Sequence, residues 1–593
     1  MCGICGELRF DQQPADPAVI KKMLPSLARR GPDSEGHWQS GTVAFGHRRL
    51  SIIDLSERSN QPMVDQTLGL TIVFNGAIYN YPQLRQQFID EGYQFQSDGD
   101  TEVIIKAYHK WGEDCPAHLD GMFAFAIWDE QKQQLFAARD RMGIKPFYFS
   151  RTERYFRFAS NMQALIATGE VDTSIDKIGL HHQFTLHAVI PAPHTILNGI
   201  QKLEPGNSML IGKDGSMQQR RYWTLNATRD DSITSDAQWQ ELIHDQLRDA
   251  VKKRLFVADV PVGVLLSGGL DSSLLVALLA EAGVEQLLTF SIGFEDQPEE
   301  KGSEFEFSDQ IVDRYHTRHH KIHIANDQVL KRLPEAVKAM SEPMFGQDAV
   351  AFYLLSEQVS KHVKVVQSGQ GADEVFAGYF WYPQMHEDKE GSEIDRFARY
   401  YFDRDHAEFL QTVNPRYHGE DYTRHKIDRL LHQPQADEFI DQVLRTDVTT
   451  LIVDDPVKRV DNMTMAFGLE ARVPFLDYRL VELAARMPTH LKLGSGGKHI
   501  LKQIARGLIP DAVIDRPKGY FPMPALKYVR GDFLEFMRAI LLDPAATSRG
   551  LYQPAYVEKL LSEPDQHFTR LRGSKLWHLA LLELWLQTHV DPH

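Results

Sequence analysis

Residues 260–280 read VPVGVLLSGGLDSSLLVALLA: an apolar run closing on two glycines, then Asp and Ser, then a second apolar run. The first part reads as a buried strand, the second as a helix that opens on capping residues. Upstream, ELIHDQLRDAVKKRL reads as a helix. Downstream, QLLTFSIGFE, KIHIA and HVKVVQSGQGADE supply further strands with helical segments between them. This alternation predicts an α/β unit with a mostly parallel sheet covered by helices. From about 385 to 593 the pattern is mainly helical, with Trp577 and Trp585 in a hydrophobic C-terminal helix.

Residues 1 to about 225 follow a different rhythm. TVAFGHRRLSII, LGLTIVFNG, GMFAFAIWD, QQLFAARD and RYFRFAS alternate with turns, and helical spacing occurs near 17–30, 80–91 and 101–112. Strands with segregated helices predict an α+β layered domain. The polar stretch NATRDDSITSDAQ, residues 226–238, marks a boundary, giving domains over 1–225 and 226–593. The acidic run EDQPEEKGSEFEFSD, residues 295–309, reads as a loop that borders a pocket.

The chain's 593 residues are too many for one core. Acidic residues number 81 and basic residues 65, a net charge of −16, which leaves no basic stripe for a nucleic acid. Cys2, Cys5 and Cys115 make no disulfide framework and suit a reducing cytoplasm. No basic-then-apolar leader is visible, and the apolar stretches fall short of a membrane span. The expected partners are small molecules, with a homodimer left open.

Cys2 becomes the N-terminal residue if Met1 is removed, which a small second side chain permits. A thiol and an α-amine then share one residue. An α-amine titrates at about 7.7–8.0 and accepts a proton near neutrality, so the pair can act as nucleophile and base without a histidine. A buried small hydrophobe is the plain alternative. Arg49, in GHRRLSIID, can grip a carboxylate. Asn75 and Gly76, in VFNGAIYN, follow a strand and can aim an amide and a backbone N–H at an oxyanion. Asp100 can pair with an ammonium. Singly, surface ion pairs and a turn explain these residues as well.

Within LLSGGLDSS, residues Ser267, Gly268, Gly269, Asp271 and Ser272 fall at a strand-to-helix turn. Glycines admit a polyphosphate there, and the helix start directs N–H groups toward it. Asp271 suits a Mg²⁺ that bridges phosphates rather than bare phosphate. No Lys follows the glycines, so this is not a Walker loop; a capped Gly-Gly turn without ligand is the alternative. His316, His319, His320 and His323 lack thiolate or carboxylate support and read as a strand, not a zinc site. Asp477 reads as a cap or buried structural acid.

MCGICG, RRGPDSEG, GHRRLSIIDL, NGAIYN, DGDTEVI, LDGMFAFAIWD and RDRMGIKPFY resemble, in that order, the class II glutamine amidotransferase domain of asparagine synthetases. The resemblance implies an αββα sandwich in which Cys2 attacks the side-chain amide of glutamine. It implies an oxyanion hole from Asn75 and Gly76, with Arg49 and Asp100 holding the substrate's carboxylate and amine. SGGLDSS resembles the pyrophosphate loop of enzymes that split ATP between its α and β phosphates. VVQSGQGADEVFAGY and FSIGFE resemble the matching synthetase blocks, implying nucleotide contacts at Ser368, Gly369, Ser291 and Gly293, and Asp373 as a second magnesium carboxylate. FGLEARVPFLD, GGKHILKQIA and DRPKGYFPMP continue the match. They imply that Lys518 stabilises charge on the acyl-adenylate; Lys498 is a second candidate that reads equally as a solvated helix lysine.

The halves then imply one enzyme, a glutamine-dependent ligase needing ATP and Mg²⁺. Ammonia freed in the first domain would pass internally to a carboxylate adenylated in the second. Two positions depart from asparagine synthetases: Ala77 stands where NGEIYN has Glu, and Gln370 where SGEG has Glu. Gln370, Glu374 and Lys498 are the acceptor-pocket candidates. The whole pattern most resembles the N-acetylglutaminylglutamine amidotransferases, a bacterial branch that amidates an acetylated glutamine dipeptide to make an osmoprotectant. Aspartate or another small carboxylate is the alternative acceptor. A non-enzymatic relative would not need Cys2, Asn75, Ser267, Asp271 and Asp373 together, and a nucleic-acid ligase or tRNA-modifying pyrophosphatase would carry a basic region instead of a glutaminase half.

Overall fold

The computed structural model describes residues 2–296, 301–516 and 524–591. Its first part is built on two six-stranded antiparallel sheets. One sheet centres on Gly3–Arg9, between Tyr155–Ala159 and Val43–Arg49; the other centres on Gly121–Asp129, between Leu70–Ile78 and Gln134–Arg139. Alternate residues face inward, so Ile4, Leu8 and Phe45 of one sheet meet Val73, Ala124 and Trp128 of the other in a fully apolar layer. Helix Pro17–Leu27 covers the first sheet, and Tyr81–Asp90 with Asp100–Trp111 cover the second. The layers run helix, sheet, sheet, helix, as expected for an αββα sandwich.

The second part holds a five-stranded sheet, parallel throughout, in the order Arg318–Ile324, Leu288–Phe294, Val262–Leu265, Val365–Gln367, Glu470–Arg472. Val262–Leu265, from the stretch quoted first, is central, and the chain winds outward from it in both directions. Such a switch point opens a crevice at the carboxyl ends of the strands. Leu270–Glu281 follows the glycines as a helix, and Lys575–His589 buries Trp577 and Trp585. Among the described residues no helix is long and apolar enough to cross a membrane.

One expectation fails. The acidic run is not a loop throughout, because Phe305–Tyr315 forms a helix. Its acidic residues mask an apolar face that buries Ile311.

The two parts are joined through buried ion pairs. Lys202 meets Glu342 at 3.1 Å and Asp454 at 2.8 Å, and Lys458 meets Glu342 at 3.0 Å. Taking such charges out of water is costly unless each keeps its partner, so these contacts fix one arrangement of the seam.

Candidate functional site

Cys2 immediately precedes strand Gly3–Arg9, which pairs with Val43–Arg49 so that Gly3 faces Arg48. Gly76 lies in the facing sheet, and Asp100 begins the helix packed outside it. These elements bring Cys2, Arg49, Gly76 and Asp100 to one cavity of about 30 Å³. The backbone nitrogen of Cys2 donates to Asn75 Oδ1 at 2.9 Å. Asn75 Nδ2 is buried with no partner, an expensive condition for a donor with nothing to serve. At Gly76 a Cβ would stand 2.1 Å from the Met122 carbonyl, so no other residue fits.

Burial raises the Cys2 thiol above its usual value, while the Leu50 backbone and Arg49 pull it partly back. Burial also pushes Asp100 up to about 6; its carboxylate accepts the Ile78 N–H at 3.0 Å. Arg49 Nη1 is anchored at 2.8 Å on both the Ser56 carbonyl and Asn60 Oδ1.

Sequence reasoning missed Glu470, which lines this cavity from the far strand Glu470–Arg472. Burial would raise its pKa, but positive charges, Arg472 and Lys145 among them, hold it down to about 2. Its stretch, FGLEARVPFLD, was visible, but no spacing in a sequence ties position 470 to position 2.

A second cavity, about 520 Å³, opens at the switch point. Ser267, Gly269, Asp271, Ser272, Ser291, Ser368, Gly369, Gln370, Asp373 and Lys498 all line it. Gly268 holds φ +74°, and a Cβ there would approach Ser308 N to 2.6 Å, so the turn requires glycine. Lys498 is no solvated lysine. Its Nζ lies between the two carboxylates, 2.5 Å from Asp271 and 2.7 Å from Asp373. Burial opposes charge on Lys498, but the two carboxylates outweigh it and raise its pKa. Two carboxylates converging on one cation are an oxygen donor set that fits Mg²⁺.

Other expected residues lie outside the cavity walls. Gly293 packs instead, since a Cβ there would meet Ser303 Cβ at 2.6 Å and the Phe305 ring at 2.8 Å. Glu374 is buried and accepts from the hydroxyl of Tyr379, which does line the cavity, at 2.8 Å. Ala77 is fully buried in an apolar cluster with Met122 and Ile144 rather than at the Cys2 cavity. Lys518 lies outside the described residues. His319 bonds Thr289 at 2.9 Å and His320 stacks on Phe290, while Asp477 is buried against Arg254 at 2.9 Å and caps the helix Tyr478–Ala485. The cavity's wall also includes two ion pairs absent from the sequence reading: Glu304 with Arg516 at 3.0 Å, and Asp348 with Arg459 at 2.9 Å.

One strand links a wall of the first cavity to a wall residue of the second. Glu470 lines the first, and two residues on, the Arg472 carbonyl accepts the N–H of Ser368, which lines the second, at 2.9 Å.

Comparison with known proteins agrees with this two-part plan. Residues 1–223 match a glutamine amidotransferase domain family and residues 242–587 the asparagine synthase family. The chain is 31% identical to glutamine-hydrolysing asparagine synthetase 1 of Bacillus subtilis, over 100% of this chain and 97% of that protein. Synthetase 3 of the same organism is 30% identical over 99% of each. Asparagine synthetase B of Escherichia coli is 28% identical over 88% of this chain and 82% of that protein.

Proposed function

The chain belongs to the glutamine-hydrolysing asparagine synthetase family, and from that premise we propose that Cys2 opens glutamine while the 520 Å³ cavity turns a small carboxylate into its amide. Membership makes it an ATP-dependent, glutamine-using ligase; the residue roles and the acceptor are our reading. The observation that carries the coupling is the strand Glu470–Arg472, which lines the first cavity at Glu470 and holds a wall residue of the second, Ser368, through Arg472.

In the first cavity, Cys2 Sγ attacks the carboxamide carbon, and the α-amine exposed by loss of Met1 takes the thiol proton. Asn75 Oδ1 orients that nitrogen. Asn75 Nδ2 and the Gly76 N–H face the oxygen on which negative charge develops. Arg49 and Asp100 hold the amino-acid end. Ammonia leaves first, then water releases glutamate. In the second cavity, Ser267, Gly269 and Ser272 receive phosphates at the start of the helix Leu270–Glu281. Asp271 and Asp373 would hold Mg²⁺, which would supply charge neutralisation for the departing pyrophosphate. The carboxylate, joined to AMP, is then attacked by ammonia. An internal route between cavities keeps ammonia neutral and the adenylate dry. We divide the two activities at residues 225 and 226, and the three buried free cysteines support a reducing, cytoplasmic setting.

Aspartate is the acceptor best supported, because near-full-length relatives carry the name asparagine synthetase. A second reading, the C-terminal carboxylate of N-acetylglutaminylglutamine, is favoured by one wall residue: Gln370 lines the cavity where that family's motif has Glu, and glutamine can position ammonia but take no proton from it. Offering each acceptor with ATP, Mg²⁺ and glutamine, and measuring AMP release and amide mass, decides between them. Amide from aspartate alone upholds the first reading, and amide from the dipeptide alone upholds the second. No amide from either rejects both acceptors.

A further inference from the structure

Three helices from distant parts of the chain meet at His181, His406 and Asp421. His181 lies in Lys177–Thr185, His406 opens His406–Thr412, and Asp421 caps Tyr422–Leu431. Counting protons fixes what His181 offers. Thr185 Oγ1 donates to the His181 carbonyl at 2.7 Å, so it accepts from Thr423 Oγ1, 2.6 Å away. With its one proton spent, Thr423 Oγ1 accepts from Nδ1 of His181 at 2.8 Å and of His182 at 2.9 Å. This is the arrangement that satisfies every contact, and it leaves a lone pair on His181 Nε2.

That lone pair looks toward two further donors. His406 Nδ1 is 3.0 Å from it, and Asp421 Oδ1 is 3.8 Å away. Without a metal, His406 Nδ1–H donates to that lone pair and Asp421 Oδ1 accepts the Arg424 N–H at 3.0 Å; a metal ion would replace the first contact and add to the second. We propose that His181 Nε2, His406 Nδ1 and Asp421 Oδ1 form a site for a divalent transition metal of the zinc class, with the fourth position open to water. The three atoms lie within 4.8 Å of one another. Zinc–ligand bonds of about 2.0–2.1 Å in a tetrahedron place ligands roughly 3.3 Å apart, between the two separations found. Thr423 fixes the tautomer of His181 in the way metal-bound histidines are held by their outer partners. Asp421 keeps 26% of its side chain accessible, so the site opens to solvent. A metal here would staple a helix of the N-terminal third to the helical region around residues 406–431.

His187, Asp403 and His578 form another close group, but the guanidinium of Arg404 reaches His578 Nδ1 at 3.4 Å. That N–H already engages the Nδ1 lone pair, so the group is short of a free ligand atom.

The test uses the full chain, stripped with EDTA and free of nucleotide, titrated with Co²⁺ in excess Mg²⁺. The magnesium fills oxygen-only sites. The wild type should take up one Co²⁺ equivalent with visible absorption, release it to Zn²⁺, and melt higher with Zn²⁺. His406→Ala and Asp421→Asn should each weaken that binding more than tenfold and abolish the Zn²⁺ shift. His406→Gln, which keeps a hydrogen-bonding group, should melt like wild type without metal yet also fail to bind. Absence of stoichiometric Co²⁺ absorption, or unchanged absorption in the variants, overturns the site.

Discussion

Arg30 grips Asp461 with both guanidinium ends, at 2.8 and 3.3 Å, while its Nε donates to the carbonyl of Cys2 at 3.2 Å. Lys145 adds a contact to the same carboxylate at 3.2 Å. Asp461 sits on helix Lys458–Met465, whose Arg459 lines the 520 Å³ cavity. The backbone of Cys2 is thus held, through Arg30, by a carboxylate of the other half.

Asp461→Asn leaves two buried cations without their counterion. Breaking a buried pair in this way costs about 3–5 kcal/mol, so the melting temperature should fall. Glutamine-dependent amide synthesis should fall further than synthesis from added ammonia. Equal losses in the two assays would mean that Asp461 serves stability alone.

Asn75→Ala removes the unpartnered Nδ2. Loss of an oxyanion donor lowers kcat about a hundred- to a thousand-fold, and glutaminase turnover should show that drop with little change in KM. Ammonia-dependent synthesis should persist. Cys2→Ala should give the same split in its extreme form, with glutamine use abolished. Loss of both activities in Cys2→Ala would show that the cavities do not work separately.

Asp100 gives a pH signature. Its folded value, about 6, lies above the ordinary 3.8 because burial favours the protonated carboxyl. Its contribution to stability is therefore full below 3.8 and lost as pH rises through about 6. Glutamine's ammonium needs the ionised form, so affinity runs the other way: KM for glutamine should climb as pH falls through 6. Asp100→Asn should raise KM at every pH and flatten the profile. A wild-type KM that ignores pH over this span would remove Asp100 from substrate binding.

Lys498→Met strips the cation from between Asp271 and Asp373. Two facing carboxylates then repel, and each pKa rises. Synthesis from ammonia should fall about tenfold or more with a changed Mg²⁺ requirement, while glutaminase turnover stays intact. Unchanged Mg²⁺ dependence would separate Lys498 from the metal carboxylates.

Much of this was legible in local pattern. The Gly-Gly turn after Val262–Leu265 announced the strand-to-helix turn, since both the apolar run and the glycines act over a few residues; the strand order around it did not show. Cys2, Arg49, Gly76 and Asp100 were each readable, and they do share a cavity. Glu470 was not, because its part depends on strand order rather than neighbouring sequence. The helix Phe305–Tyr315 was hidden by charge: a surface helix whose exposed face is acidic has the composition of a loop. Lys498 stayed open between two readings for the opposite reason. A lysine after glycines gives no sign of burial until two carboxylates close on it.

The three-residue strand Glu470–Arg472 sets a limit on how such proteins can be recombined. A glutaminase half borrowed from a relative would meet a wall piece, Glu470, that it did not bring, and the ion pairs of the seam would lose partners matched to them. Halves exchanged at residue 225 should fold as separate sheets yet hydrolyse glutamine without delivering ammonia. The inheritable unit is the seam, so its two faces must change together.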